Sequence, residues 1–195
     1  KFFDIDKELL AIDKEVMELC KPYFEKVEEV QQYNQLKVLK AFKENRISAQ
    51  HLVGTTGYGY DDIGRDTLDS IYAQIFGAED ALVRHNFVSG THALTVALFG
   101  VLRPNDTVHC VTGMPYDTIR SAIGIEGNYP GSLKDFNINF EMTDLLPDGT
   151  FDYDGIAKAI NPRTKMITIQ RSKGYATRPT FSVTQIGELI AFCKN

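Results

Sequence analysis

The stretch NFVSGTHALTVALFG, residues 86–100, decides how the fold is interpreted, because a short β-branched run ends there and an apolar helix follows. Thr91 is a residue type that caps helix N-termini, and we expect it to cap this helix. The apolar side chains beyond it have helical spacing; they are Leu94, Ala97, Leu98 and Val101. The stretch therefore predicts a strand, a turn and a helix.

Two interpretations of this turn are open. The first is a capped core helix with no further role. The second is a phosphate site at the helix N-terminus, where backbone N–H groups lack helical acceptors and the helix dipole favours an anion. The groups that would bind the phosphate are the N–H groups of Gly90, Thr91 and His92 and the hydroxyls of Ser89 and Thr91. Strand–turn–helix units occur throughout α/β proteins, so the rest of the chain has to decide.

The composition indicates a globular protein without a preference for polyanions. Of the 195 residues, 43% are hydrophobic, which is enough to bury a core, and the net charge is -5. That charge argues against nucleic acid or an anionic membrane as the main partner. No apolar run is long enough to span a bilayer, and the first ten residues lack the layout of a signal peptide.

The cysteines and histidines predict neither disulfides nor a metal centre. Cys20, Cys110 and Cys193 are far apart and odd in number, unlike a disulfide framework or a zinc site. The histidines show no metal-ligand spacing; they are His51, His85, His92 and His109. We expect a reducing, cytoplasmic location and no metal.

Residues 1–50 form the first predicted domain, an N-terminal helical segment. Apolar residues recur there three or four positions apart, and Pro22 predicts a break between two helices. Since the exposed apolar faces have little of their own to pack against, we expect them to lie on a following domain or a partner subunit. The glycine-rich stretch HLVGTTGYGYDDIGRD starts the second predicted domain, residues 51–195.

The second domain alternates between strand and helix. Strands are predicted in DALVRHNFV, DTVHCVTG, NINFEMT and KMITIQRS, and helices in DTLDSIYAQIF, THALTVALFGVL, PYDTIRSAIGI, DYDGIAKAI and SVTQIGELIAFCK. This alternation predicts an α/β fold with a parallel sheet and right-handed crossovers. Ligands of such sheets bind outside the carboxyl ends of the strands. The candidate loops are RHNFVSGTH, VTGMPYDT and QRSKGYATRPT.

These loops carry groups suited to a planar, phosphorylated, heteroaromatic cofactor. Besides the turn at 89–91, they contain Tyr116 and the basic residues Arg171, Lys173 and Arg178. The alternative is that Tyr116 only starts a helix and that the basic residues are solvated loop charges. The chain has no P-loop motif, no GxGxxG and no nucleophile elbow, so neither a P-loop nucleotide hydrolase nor a serine hydrolase is predicted.

Several segments together resemble fold type I pyridoxal-phosphate enzymes of the cysteine/methionine metabolism group, in particular the aluminium-resistance or methionine γ-lyase-like family. The segments are HLVGTTGYGYDDIGRDTLD, IFGAEDALVRHNFVSGTHAL, GMPYDT, GSLKDF and IQRSKGY. The resemblance covers nearly the whole chain. It implies a three-layer αβα fold with a mainly parallel sheet after the N-terminal helical segment, pyridoxal 5'-phosphate as cofactor, and a homo-oligomer built from dimers, most simply a homotetramer.

The resemblance also implies roles for individual positions. The residues matching the cofactor's phosphate-binding turn are Ser89, Gly90, Thr91 and His92. Tyr116 matches the tyrosine that stacks on the pyridine ring and can pass a proton to the leaving group. Tyr58 and Tyr60 would shape the pocket, with Tyr60 matching a tyrosine that reaches the phosphate of the neighbouring subunit.

The chain departs from the family pattern at two positions, Asp62 and Arg178. The related lyases carry an arginine two residues after the tyrosine matched by Tyr60, where this chain has Asp62; Arg65 is the nearby arginine that could take its role. Arg178, in the tripeptide RPT, falls where those lyases have Asn-Pro-Thr beside the cofactor's phenolic oxygen. Arg178 is expected to donate to that oxygen or to bind a substrate carboxylate.

A larger departure concerns the lysine that forms the Schiff base and the aspartate that pairs with the pyridinium nitrogen. In the family both lie on strands after the last helix predicted here, and Lys173 lies one strand too early to match that lysine. The resemblance thus implies that this chain is the front part of the cofactor-binding large domain. By itself it is not expected to carry out pyridoxal chemistry.

The function implied by the resemblance is a carbon–sulfur lyase that eliminates a substituent from the β or γ carbon of a sulfur amino acid. Two other classes stay open. The turn SGTHA, residues 89–93, also resembles that of threonine aldolases and aminotransferases, and the family's link to aluminium allows a non-catalytic metal-stress binding protein. The acidic residues near residue 62 are better explained as a turn and a helix start than as a hard-cation site.

Overall fold

The computed structural model describes residues 3–56, 58, 62–127 and 130–194. The chain divides into two compact units, Lys1–His85 and Asn86–Asn195. The division at residue 50 that the sequence suggests stays a prediction. Each unit is described below by itself.

The first unit is dominated by one helix of 38 residues, α1, Lys7–Glu44. The Asp6 side chain starts it by accepting a hydrogen bond of 2.7 Å from the N–H of Glu8. The helix continues through Pro22, so the predicted break into two helices is wrong. Proline removes one backbone donor from a helix but does not by itself end it.

A short 3-10 helix, Ala49–Leu52, and helix α2, Ile63–Phe76, follow in the first unit. The Asp62 side chain caps α2 by accepting from the N–H of Arg65 at 3.1 Å. Gly77 ends α2 in the left-handed conformation, φ 64°, which glycine adopts without a steric penalty. Val38, Ala41 and Asn45 lie on one side of α1, and Asn45 donates to the side chain of Gln74 on α2 at 2.7 Å.

The second unit alternates between helices and strands. Its elements are α3, Gly90–Val101; β1, Thr107–Cys110; α4, Asp117–Ile123; β2, Asn139–Met142; α5, Tyr153–Ala159; β3, Thr164–Thr168; and α6, Val183–Lys194. The strand order is β2-β1-β3, and β1 runs parallel to both neighbours. Val108 pairs with Phe140 on one side and Met166 on the other.

Two apolar clusters cover the two faces of this sheet. Successive strand residues point to opposite faces; Met166 packs against one cluster and Ile167 against the other. The first cluster consists of Leu98, Leu102, Val108, Ile119, Ile123, Leu133 and Ile138. The second consists of Val111, Phe151, Ile156, Phe181 and Leu189. Helices α3 and α4 therefore contribute to one side of the sheet and α5 and α6 to the other.

The expectation of a three-layer fold type I domain is wrong, because the described residues form a small α/β domain with a three-stranded parallel sheet. The predicted strand in residues 80–88 is not formed. The Asp80 carboxylate accepts from the N–H of Ala81 at 2.8 Å, and Asp69 accepts from that of Val83 at the same distance. These backbone donors are thus satisfied by side chains rather than by a neighbouring strand.

Within the described ranges, none of the helices combines the length and the hydrophobicity needed to cross a lipid bilayer.

Candidate functional site

The candidate site lies where the carboxyl ends of β1 and β3 lead into loops and where α3 begins. The loop after β1 reaches Tyr116, which precedes α4, and the loop after β3 runs through Gln170 and Gly174. The hydroxyl of Thr91 on α3 donates to that of Thr118 on α4 at 2.9 Å. This bond places the start of α3 beside the start of α4, as expected for a site at the carboxyl edge of a parallel sheet.

Ser89, rather than Thr91, caps helix α3. Its hydroxyl accepts from the N–H of His92 at 3.1 Å, and its backbone is extended. The His92 ring in turn accepts from the N–H of Val88 through Nδ1 at 3.4 Å and meets the Phe87 ring edge-on. Both residues are therefore used to hold the turn, because their polar groups bind each other and the preceding backbone.

The N–H groups of Gly90 and Thr91 open α3 and have no acceptor within the helix. A Cβ placed on Gly90 would meet nothing within 4 Å. The start of α3 therefore presents two backbone donors and the positive end of the helix dipole toward open space. All four residues predicted at the phosphate lie in one turn, and no described residue accepts a hydrogen bond from the N–H of Gly90 or Thr91.

Tyr116 precedes α4 and is held from the loop after β3. Its N–H donates to the side-chain Oε1 of Gln170 at 2.7 Å. Its hydroxyl has a pKa raised above the usual value, because the negative charge of Tyr175 and then that of Asp117 would oppose ionisation, with smaller contributions from burial and a hydrogen bond to Tyr175. Tyr116 is thus a protonated phenol at neutral pH and can donate a proton.

The Tyr116 ring borders a small open cavity of about 220 Å³. The backbone of Gly174, at φ 54°, lies against the ring; a Cβ there would come within 3.1 Å of the ring carbon Cε2. Arg120, Lys173 and Asp117 line the same cavity, and Arg120 forms an ion pair of 3.3 Å with Glu126. An aromatic surface, a phenol and the Lys173 ammonium are therefore close together.

Arg178 lies behind the loop rather than in this cavity. Its guanidinium donates to the carbonyl groups of Gln170 at 2.9 Å, Ser172 at 3.1 Å and Pro179 at 3.0 Å. It also lies over the Phe181 ring, 4.5 Å from the centroid. Three of its five N–H donors thus bind backbone carbonyl groups of the loop. The contact of Arg178 with a cofactor or substrate stays a prediction.

Arg171 donates to the carbonyl of Phe181 at 3.0 Å. The tyrosines and the arginine that the resemblance implies near the phosphate lie in the first unit. Tyr58 is 85% exposed. Tyr60 lies outside the described residues. Arg65 forms an ion pair of 3.2 Å with Asp66, and Asp62 is the cap of α2. The hydrogen bonds from Arg65 and Thr55 lower the pKa of Asp62, so this carboxylate is charged at neutral pH.

Sequence reasoning missed Thr118, Gln170, Gly174 and Tyr175. All four reach the site only because the loops after β1 and β3 converge, and local periodicity carries no signal for that convergence. The loop QRSKGYATRPT is a candidate loop in the sequence, but the sequence does not indicate which of its residues contact Tyr116. Within the described ranges, no three His, Cys, Asp or Glu side chains come together in a way that could hold a metal ion.

Comparisons with known proteins identify the family of the chain. The family model for methionine gamma-lyase matches residues 9–195. The uncharacterized YnbB protein of Bacillus subtilis is 53% identical over 169 residues, which are 86% of this chain and 40% of YnbB.

Solved structures are similar over almost the whole chain. A Listeria innocua protein, named as a candidate cystathionine beta-lyase involved in aluminum resistance, is 47% identical with a TM-score of 0.94, over 97% of this chain and 47% of its own. A carbon-sulfur lyase involved in aluminum resistance from Clostridium novyi NT is 42% identical with a TM-score of 0.93, over 98% of this chain and 46% of its own. The chain thus spans less than half the length of these relatives. Since the family model matches nearly every residue, the chain belongs to the methionine gamma-lyase family.

Proposed function

We propose that the protein is a pyridoxal-phosphate-dependent carbon–sulfur lyase that acts on a sulfur amino acid by β- or γ-elimination. The observation that carries the proposal is the open start of α3 beside Tyr116, joined by the hydrogen bond of 2.9 Å between Thr91 and Thr118. The name of the Clostridium novyi relative, a carbon-sulfur lyase, supports the reaction class.

The residues present fit the phosphate and the ring of this cofactor. Gly90 has no side chain and nothing within 4 Å of where one would stand, so a phosphate has room to approach the N–H groups of Gly90 and Thr91. The Tyr116 side chain, at 39% exposure, offers an accessible aromatic surface next to this turn. These three residues would hold the cofactor.

When bound, pyridoxal phosphate acts as an electron sink for the α carbon of an amino acid. The chain's own contribution to elimination is a proton. A departing thiolate needs protonation, and the Tyr116 hydroxyl is protonated at neutral pH, since Tyr175 and Asp117 keep its pKa above the usual value. Lys173, which lines the same cavity, supplies positive charge suited to the carboxylate of an amino-acid substrate.

The proposed phosphate site at Gly90 is tested by measuring the binding of inorganic phosphate and of pyridoxal phosphate to this chain. Gly90→Ala adds a methyl group where the phosphate would lie, and we expect the affinity for pyridoxal phosphate to fall about tenfold or more. Gly100→Ala, near the other end of α3, is the matched control, because its Cβ also meets nothing within 4 Å. Affinity is measured by absorbance titration and equilibrium dialysis, with unphosphorylated pyridoxal as a second ligand.

Three outcomes would overturn this proposal: no binding of pyridoxal phosphate, equal affinity for pyridoxal, or equal effects of the two glycine variants. The reaction class is tested separately on full-length YnbB, of which this chain spans 40% of the length by similarity. Release of a thiol and a keto acid from a sulfur amino acid supports the lyase. Release of glycine and an aldehyde would instead indicate an aldolase, and exchange of the amino group an aminotransferase.

A further inference from the structure

The segment QRSKGY, residues 170–175, contacts Tyr116 at its backbone and at its ring. Gln170 accepts the N–H of Tyr116, and Gly174 lies against the ring. Contacts at the backbone and at the ring restrain both the position and the rotation of this side chain. We call residues 170–175 the Tyr116 clasp.

Gln170 is fixed at both ends of its side-chain amide. While Oε1 accepts from Tyr116 at 2.7 Å, Nε2 donates to the carbonyl of Ser172 at 3.0 Å. Arg178 then binds the carbonyl groups of Gln170 and Ser172 with a single nitrogen, Nη2. The acceptor for Tyr116 is therefore anchored by a charge-assisted pair of bonds on the other side of the clasp.

Gly174 is the residue that allows the clasp to approach the ring so closely. A Cβ at this position would lie 3.1 Å from Cε2 and 3.2 Å from Cδ2 of Tyr116, closer than carbon atoms normally pack. Its φ of 54° is also one that other residues rarely adopt. Any side chain here would push the ring or the loop aside.

We propose that Gln170 and Gly174 are positioning residues that hold the Tyr116 ring and hydroxyl in the orientation the reaction uses. The inference rests on the proposed function, in which Tyr116 covers the cofactor ring and donates a proton. A merely structural loop contact would affect folding without changing how Tyr116 binds a ligand. The clasp instead acts through Tyr116, so its effect on ligand affinity requires the Tyr116 side chain.

The test is a double-mutant cycle on the affinity of this chain for pyridoxal phosphate. Gly174→Ala is expected to weaken binding about threefold to tenfold, the range of an aromatic stacking contact. In the Tyr116→Ala background the same change is expected to have no further effect, because the added methyl group then meets no ring. Gly77→Ala is the matched control: Gly77 has φ 64°, similar to Gly174, and nothing within 4 Å of its Cβ.

A second variant tests the same inference in case Gly174→Ala prevents folding. Gln170→Met keeps the length of the side chain but removes both hydrogen bonds, and we expect it to weaken binding in the presence of Tyr116 only. The chemical shift of the tyrosine Cζ carbon, measured by NMR without ligand, reports whether Tyr116 moves in each variant.

The outcomes separate the two proposals. If the unmodified chain does not bind pyridoxal phosphate, the proposed function fails. If it binds and Gly174→Ala binds equally well, or loses the same affinity in the Tyr116→Ala background, the clasp does not position Tyr116 and this inference is overturned.

Discussion

His109 is buried on β1 with one ring nitrogen unpaired. Its Nε2 and the Thr143 hydroxyl are 2.8 Å apart, whereas Nδ1 is buried and has no hydrogen-bond partner among the described residues. Burial lowers the pKa of this imidazole, and the charge of Glu141, its neighbour on β2, opposes that only in part. The neutral ring is therefore the form that the folded state prefers.

This preference predicts that the chain loses stability in mild acid. The unfolded chain binds a proton at His109 at a higher pH than the folded chain does, so stability is fully present above about pH 6.5 and falls as the pH drops below it. The midpoint of urea unfolding, measured from pH 8 to pH 5, should therefore decrease toward the acid side. A His109→Gln variant, which cannot titrate, should show a smaller decrease; an equal decrease would assign the effect to other groups.

At the scale of elements, every helix and strand predicted in residues 89–194 is formed, and the only strand predicted just before them is not. Short-range sequence patterns predicted an element correctly where the spacing of apolar residues and a neighbouring turn residue indicated the same element, as at β1 and α5. The patterns predicted a strand wrongly at residues 80–88. There Asp69, fourteen positions before Val83, accepts a hydrogen bond from the N–H of Val83. The candidate site divides in the same way: the turn at 89–92 and Tyr116 could be predicted, whereas Gln170 and Gly174 depend on a tertiary contact.

Asp69 is therefore predicted to hold the segment after α2 in its irregular conformation. Its Oδ1 accepts from the N–H of Val83 at 2.8 Å and from Arg84 Nη1 at 2.7 Å, and the hydrogen bond from Arg84 lowers the pKa of Asp69. Asp69→Ala should lower the free energy of unfolding by about 1–3 kcal/mol, since a partly buried N–H and a guanidinium lose their acceptor.

Asp66→Ala is the matched control for this prediction. Asp66 forms an ion pair with Arg65 on the same helix, but its side chain is 66% exposed, so the change should cost about 0–1 kcal/mol. Urea unfolding at neutral pH measures both variants. Equal losses would mean that the carboxylate at position 69 does not anchor the segment.

At the scale of the whole molecule, helix α1 presents an apolar stripe that its own unit does not cover. The stripe is formed by Leu9, Ile12, Val16, Leu19, Tyr23, Val27 and Val30, all between 47% and 70% exposed. The positions three and four apart share one helix face, and Val38 and Ala41, on the α2 side of the helix, continue the same face.

We propose that a second copy of the chain covers this stripe, in keeping with the homo-oligomer that the family resemblance implies. A twofold contact brings the same surface of both copies together, and a regular stripe of similar apolar residues is complementary to itself. Leu19→Glu places a charge in the stripe and should shift the chain from dimer toward monomer in sedimentation velocity, with a loss of affinity of about tenfold or more. Lys21→Glu changes the charge two residues away on another face and should leave the dimer intact. A monomeric unmodified chain, or a dimer that Leu19→Glu leaves unchanged, would mean that the stripe is covered by something other than a second copy.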